Sequence, residues 1–411
     1  MAGLPLSHIT VLDLSRILAG PWCAQILADL GATVIKIEHP ARGDDTRGWG
    51  PPFLQDSDGN ETGEAAYYLG VNRNKRSVAL DFTQPEGQTI LRELAAQADV
   101  FLENYKVGGL AKYGLDYASV RAINPRIVYC SVTGFGQTGP YKSTAGYDFM
   151  IQGMGGLMSI TGERDELPGG GPQKVGVAVS DIMTGLYATI GIQAALMHRA
   201  TSGVGQHVDM ALLDTQVAMI ANLNMNYLIS GKVPVRMGNA HANIVPYQAF
   251  ASSDGHVILA VGNDNQFEKF CHVAGRPEIA SDARFRKNSD RVRHRDVLVP
   301  MIIDIIATRT TDEWTTALDA VQVPCGPINT LDQVFNDPQV VHRGMRIDLQ
   351  HPLSGTVPQV RNPIVFSDTP LTYENAPPLL GQHTASVLAE RLGYDLEKIA
   401  GLASSGVIVV R

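Results

Sequence analysis

The sequence predicts an α/β protein: a large Rossmann-like domain with a parallel sheet, followed by a smaller α+β domain. Three observations carry this. Its first half alternates short β-branched runs with helical segments, the pattern of βαβ units whose sheet is covered on both faces. Near residue 225 that alternation stops, and residues 244–262 (IVPYQAFASSDGHVILAVG) place two strands around Asp254-Gly255, a hairpin signal. Finally, 411 residues exceed what one ordinary core holds, which favours two domains.

Taken in order, Ile9–Leu14 is the first strand, followed by Gly20-Pro21 and the helical segment WCAQILADLGA. Thr33–Glu38 is the second strand and Ser77–Phe82 the third, the latter followed by Pro85 and the helix EGQTILRELAAQA. Asp99–Asn104 and Ile127–Thr133 complete the series. Val175–Val179 is an apolar, strand-like run that leads through Ser180 and Asp181 into an uncharged helix from Ile182 to Met197. Gln206–Leu213 then reads as a strand and Asp214–Gly231 as one helix. Beyond the hairpin, helical segments lie near Gln266–Ala274, Arg291–Arg309 and Thr311–Val321. The resulting boundaries are 1–224 for the large domain, 225–330 for the small one and 331–411 for a C-terminal segment of strands and a helix pair returning to the large domain.

Composition excludes several classes. A net charge of −8 without basic stripes gives no footprint for nucleic acid. The four cysteines (Cys23, Cys130, Cys271, Cys325) form no C-x-x-C pair, so neither a metal-ligand spacing nor a disulfide framework is legible. His207, His241, His256 and His383 stand apart, and no metal is expected. Asp13 and Arg16 interrupt the first apolar segment, unlike a signal peptide. The longest uncharged stretches, 182–197 and 215–231, are short for a membrane span. A soluble, cytoplasmic protein without a membrane partner is the expectation.

Ligands of parallel sheets gather at the carboxyl ends of strands. That directs attention to Arg16, to Glu38-His39, to Asn104-Tyr105 and to the loop Gly134–Gly139. The loop spells G-x-G-x-x-G, but Pro140 and polar residues follow where a dinucleotide site would open a helix. Basic residues near strand ends (Arg16, Arg42, Arg47, Arg73, Lys75, Arg76, Lys112) would bind phosphates if several converged. Asp181 is an ionisable group in apolar surroundings at a helix start. There it is either an N-terminal device favoured by the helix dipole or a reactive carboxylate.

The order of several segments resembles the class III CoA-transferases, the family of formyl-CoA transferase and carnitine–CoA transferase. VLDLSRILAGPWCAQILADLGATVIKIEHPARGDDTRGWGPP, NRNKRSVALDF, VFLENYKVGGL, NPRIVYCSVTGFGQTGPY, AGYDFMIQGMGGLMSITG, VGVAVSDIMTGLYATIGI, PCGPINT and PPLLGQHT follow one another as in that family, over nearly the full length. RMGNAHANIVPYQAF, NYLI and RILAGPW look most like the succinate–hydroxymethylglutarate (glutarate) branch. The resemblance implies coenzyme A carried as acyl-CoA, succinyl-CoA as donor and a dicarboxylate as acceptor. It also implies an interlocked homodimer, with sites between the large domain of one chain and the small domain of the other.

Carried over position by position, Asp181 in VSD-x-x-TG matches the catalytic aspartate. Leu18 and Ala19 fall where the family contacts CoA, although the formyl-CoA enzymes have Gln at the first. Asn72, Arg73, Asn74 and Lys75 are matched to the adenine and phosphate segment, and Asn104, Tyr105 and Lys106 to the turn after the fourth strand. Tyr147 and Asp148 in AGYD are placed at the CoA site as well. His39 and Lys112 replace arginines of the formyl-CoA enzymes, so phosphate contacts there would be of another kind. Gly238-Asn239-Ala240-His241 is the nearest counterpart of that branch's glycine-rich loop. Arg16, Arg47, Arg236 and His241 are the candidates for holding a distal carboxylate, and Gly238 and Asn239 are placed with Arg16, Arg47 and His241 at the substrate.

Two rivals remain. Racemases of 2-methylacyl-CoA resemble this chain at Asp181 but have His where Tyr147 stands, and racemisation needs two acid–base groups near the working pH. A non-catalytic CoA- or NAD-binding protein would not require Asp181. A carboxylate nucleophile is expected to be ionised at neutral pH without a general base.

Overall fold

The computed structural model describes residues 3–411. Two compact units emerge. The first contains the residues up to Leu157, Val175–Met225 and Val341–Arg411; the second contains Met158–Lys174 and Asn226–Val340. Residues 158–174, which the expected boundaries leave in the large domain, therefore cluster with the second unit.

The first unit is built on strands β1 (Thr10–Asp13), β2 (Thr33–Glu38), β3 (Phe53–Gln55), β4 (Glu61–Ala65), β5 (Lys75–Leu80), β6 (Val100–Glu103), β7 (Val128–Thr133) and β8 (His207–Ala211). The main sheet has the order β5-β2-β1-β6-β7-β8, all parallel, with the short strand Ile408–Val409 added antiparallel to β5. The alternating signal explains this sheet. Val11 and Val34 face one layer, while Leu12 and Ile35 face the other. Such alternation is how successive strand residues reach opposite faces.

The helical segments as far as Met219 follow in chain order: α1 (Ala19–Asp29), α2 (Ala66–Leu69), α3 (Pro85–Gln97), α4 (Tyr117–Ile123), α5 (Asp148–Met154), α6 (Leu157–Ile160, all but its first residue in the second unit), α7 (Val179–Ser202) and α8 (Leu212–Met219). Cys23, Ala24 and Leu27 of α1 and Ala188, Ile192 and Ala195 of α7 cover one face of the sheet. Ile90, Leu91 and Leu94 of α3, with Val387, Leu388 and Ile399 of the C-terminal helices, cover the other. The segment Val341–Arg411 clusters with the first unit. It also forms an antiparallel hairpin, Arg346–His351 with Gly355–Val360.

The second unit holds the expected hairpin, Tyr247–Ala251 against His256–Ala260, extended by Cys325–Pro327 into a three-stranded antiparallel sheet. Its own core gathers Phe250, Val257, Leu259, Phe267, Phe270, Trp314 and Leu318.

Two local expectations fail. Val175–Ala178 is not a strand: the Val175 N–H donates to the Gln152 side chain, and Val179 already begins α7. The expected helix Asp214–Gly231 is two helices, Leu212–Met219 and Asn222–Ser230, broken at Ala221, whose φ is +49°. An unbroken apolar pattern does not reveal a backbone turn of that kind.

Because β1 lies between β2 and β6, chain connections leave it in opposite directions. Such a switch point opens a crevice beyond the carboxyl ends of the strands.

Candidate active site

The crevice is real: a cavity of about 520 Å³ lies in the first unit. It is lined by the segments that follow β1 (Arg16–Ala19), β2 (His39, Arg42–Asp44), β5 (Asp81–Thr83), β6 (Asn104–Val107) and β7 (Gly134). Lys112, Tyr113, Lys142–Tyr147 and Asp181 complete the wall. This volume is that of an ordinary small-molecule cleft.

Asp181 enters it from the first turn of α7, as its position after Ser180 predicts. It does not cap that helix. The cap is Asp148, from a segment distant in sequence: its Oδ1 accepts the Ser180 N–H at 2.8 Å and the Asp181 N–H at 3.4 Å. Gln152, fully buried, donates to Asp148 Oδ2 at 2.7 Å and accepts the Val175 N–H at 2.9 Å. The Ser180 hydroxyl donates to Gln216 at 2.6 Å. Asp181 therefore has a fixed backbone beside a second carboxylate. Burial, and then the charge of Asp148, push its carboxyl up to about 7. The expectation of a fully ionised carboxylate is corrected accordingly: desolvation disfavours the charged form, and a like charge adds to the effect.

Tyr67 was not singled out by sequence. Burial, and then the charges of Asp181, Asp148 and Asp44, raise its phenol to about 12, so it stays protonated at neutral pH. Its ring meets Trp49 edge-on, with centroids 5.1 Å apart.

One wall suits a large, anionic, partly aromatic ligand. His39, Arg42, Lys106, Lys112 and Lys142 line the cavity alongside Phe82, Tyr105 and Tyr113. The Phe82 ring packs edge-on against Tyr105 and Tyr113, at 5.8 and 5.5 Å. The turn carrying Asn104–Lys106 is pinned at both sides. Glu103 accepts the Tyr105 N–H at 2.7 Å, while Asn104 accepts the Arg16 N–H and donates to the Arg16 carbonyl. Arg16 itself pairs with Asp45 at 2.8 Å.

The structure thus brings Arg16, Leu18, Ala19, His39, Asn104, Tyr105, Lys106, Lys112, Tyr147 and Asp181 around one cavity. It leaves other candidates outside. Asn72–Lys75 opens β5 instead of closing it, so this segment lies at the wrong end of the strand; Leu80–Thr83 is the part that reaches the cavity. Its polar groups are also spent. Arg73 pairs with Asp29 and donates to the Val360 carbonyl. Asn74 donates to Asp29 and accepts from the Glu374 and Asn375 backbone. Lys75 is fully buried against Asp13, Asn72 and the Pro21 carbonyl. Arg47 is likewise no substrate ligand: its guanidinium is consumed by Glu38, Glu64, Tyr68 and the Pro378 carbonyl.

Gly238, Asn239 and His241 belong to the second unit. Gly238 has φ +58°, which favours glycine, and a Cβ there would stand 2.8 Å from the Glu163 carboxylate and displace it. The His241 ring rests against Tyr247, and its Nδ1 accepts the Asn243 N–H. Among the described residues, no group of three or more His, Cys, Asp or Glu is placed to hold a metal ion, and no helix is long and apolar enough to cross a membrane.

A half-buried carboxylate beside a cationic, aromatic-lined cleft fits acyl transfer from a phosphate-rich carrier. Comparison with known proteins agrees. The sequence profile of CoA-transferase family III matches residues 6–384. A succinate–glutarate CoA-transferase of Agrobacterium fabrum is 54% identical over 391 residues, covering 94% of this chain and 95% of that protein. A succinyl-CoA:glutarate CoA-transferase of Homo sapiens is 42% identical over 404 residues, covering 98% and 90%. Among solved structures, a CAIB/BAIF family protein from Brucella suis superposes with a TM-score of 0.83 at 52% identity, covering 95% of this chain and 100% of that one. The chain belongs to CoA-transferase family III.

Proposed function

We propose that this CoA-transferase moves CoA from succinyl-CoA to glutarate or a similar dicarboxylate, with Asp181 as the covalent carrier. The observation that carries this is the placement of Asp181 on the wall of the cationic cleft, in a chain 54% identical to a succinate–glutarate enzyme.

Asp181 attacks the thioester carbonyl of succinyl-CoA and expels CoA thiolate, leaving an aspartyl–succinyl anhydride. The thiolate then attacks the aspartyl carbonyl and expels succinate, leaving CoA on Asp181 as a thioester. The acceptor carboxylate attacks that thioester, and the thiolate released attacks the acceptor's acyl carbon, returning Asp181 as a carboxylate. Each intermediate keeps the activation of the original thioester, so the exchange is divided into nearly balanced steps.

Only ionised Asp181 attacks, so its position near 7 holds it poised between forms until a ligand binds. The N–H groups of Ser180 and Asp181 are taken by Asp148, which removes them as oxyanion donors. The start of α1 is the better source: no side chain caps it, and Leu18 and Ala19 border the cavity with Asp181. The cations at the outer wall take the phosphates of CoA, and the Phe82–Tyr105–Tyr113 cluster offers a face for its base.

Tyr147 does not favour the racemase reading, since it stands where the racemases have histidine. A homodimer is supported by apolar side chains left exposed in the first unit: Phe149, Met150 and Met154 on α5, and Tyr187, Ile190 and Met197 on α7.

A panel of carboxylic acids offered with succinyl-CoA, read by mass spectrometry, tests the assignment. Formation of glutaryl-CoA is expected, together with its loss in Asp181→Ala. Failure of every dicarboxylate to accept CoA would remove it.

A further inference from the structure

A strained backbone segment borders the reacting carboxylate. Ile17, a β-branched residue, has φ +75°, a left-handed conformation such residues avoid. Residues held this way persist only where neighbours impose it. Here the Ile17 N–H lies 3.2 and 3.3 Å from the two carboxylate oxygens of Asp44. Asp44 is in turn fixed: Lys36 Nζ donates to its Oδ2 at 2.9 Å, and Thr46 donates from its N–H and hydroxyl at 3.0 and 2.8 Å. Lys36 also donates to the Ser15 carbonyl at 2.9 Å, so one buried amine ties Asp44 to the segment it holds. Both side chains of this pair are 0% exposed.

What the segment leads into gives the clamp its meaning. Leu18 and Ala19 follow directly and open α1. A Cβ added at Gly185 would stand 2.7 Å from the Ala19 carbonyl oxygen, so the α7 backbone runs against Ala19. Gly185 lies one turn after Asp181, on the same face of α7. A shift of Ile17 would therefore be transmitted to the wall that Asp181 faces.

We propose that Asp44, held by Lys36, is a positioning residue for acyl transfer: by gripping the Ile17 N–H it fixes the Leu18–Ala19 backbone against the Asp181 face of α7. The proposal rests on Asp181 as the acyl carrier. Removing Asp44 alone would strand a buried lysine, which destabilises any protein. The informative variants are therefore neutral pairs, Lys36→Met with Asp44→Asn, which keeps an acceptor for Ile17, and Lys36→Met with Asp44→Ala, which does not.

The acceptor-free pair is expected to lose 10- to 100-fold in kcat with less than a threefold change in KM for succinyl-CoA, while the Asn pair keeps most of its kcat at a similar melting temperature. Adding Ile17→Gly, which adopts positive φ without strain, is expected to recover part of the loss in the acceptor-free pair. Equal kcat in the two pairs, or no recovery by Ile17→Gly, overturns the proposal. If the acceptor-free pair does not fold, Lys36→Met with Asp44→Ser, whose shorter side chain withdraws the acceptor from Ile17, takes its place under the same two criteria. Trapping of a CoA adduct on Asp181 in the unmodified protein tests the underlying reading separately.

Discussion

Asp148→Asn separates two functions that one carboxylate combines. The Asn side-chain oxygen can still accept the Ser180 N–H now held at 2.8 Å, so the start of α7 stays capped. The charge that helps raise Asp181 disappears. The Asp148 oxygen is 3.4 Å from the Asp181 nitrogen. Asp148 is the smaller of the two causes of a rise from 3.8 to about 7, so its charge accounts for less than half of that rise, about one pH unit. Burial, the larger cause, remains. The acidic limb of kcat/KM against pH, which reports the free enzyme, is expected near 7 in the unmodified protein and about one unit lower in the variant. Below that limb the variant should be the faster enzyme. The new Asn nitrogen would face the Gln152 nitrogen that now donates to Asp148, so a stability loss of about 1 kcal/mol should accompany the shift. A limb that stays in place, or moves upward, would refute the claim that Asp148 tunes Asp181.

Other consequences follow from burial and pairing. Since the folded protein holds the Asp181 proton up to about pH 7, it binds more protons than the unfolded chain between about pH 4 and 7, and stability falls as pH rises through that window. Asp181→Asn should therefore raise stability at pH 8 by on the order of 2–4 kcal/mol and by little at pH 4, measured by urea unfolding. Arg47→Met strands Glu38 and Glu64 and should cost about 3–5 kcal/mol in the same assay. Lys112→Ala should raise KM for succinyl-CoA about fivefold, the equivalent of about one kcal/mol. Arg73→Met should lower the melting temperature and leave that KM unchanged, because Arg73 is spent on Asp29 and the Val360 carbonyl.

Much of the first unit was legible because its strands are buried on both faces and spell continuous apolar runs; Thr33–Glu38 is found at its expected bounds. The position of Asp181 at a helix start was legible too, since the apolar run after it admits nothing else. Side-chain pairing across long sequence separations was not. Nothing local marks Asp148 as the cap of a helix that begins 31 residues later, or Arg47 as the centre of a buried knot closed by the Pro378 carbonyl. Asn72–Lys75 misled for a related reason: its Asn, Arg and Lys look like phosphate ligands, yet they lie where β5 begins, away from the strand end that lines the cavity. The left-handed turn at Ile17 runs against the preference of its own residue type, so only the tertiary clamp explains it.

The central claim is that CoA passes through a covalent bond to Asp181. The most direct measurement is to mix the enzyme with succinyl-CoA in the absence of acceptor, quench in acid, and map peptides with and without hydroxylamine. The account predicts a CoA-sized mass increase on the peptide containing Asp181, converted by hydroxylamine to an aspartyl hydroxamate and absent in Asp181→Ala. An adduct on Asp148 or Glu103 instead, or brisk transfer with no adduct at any residue, would contradict it.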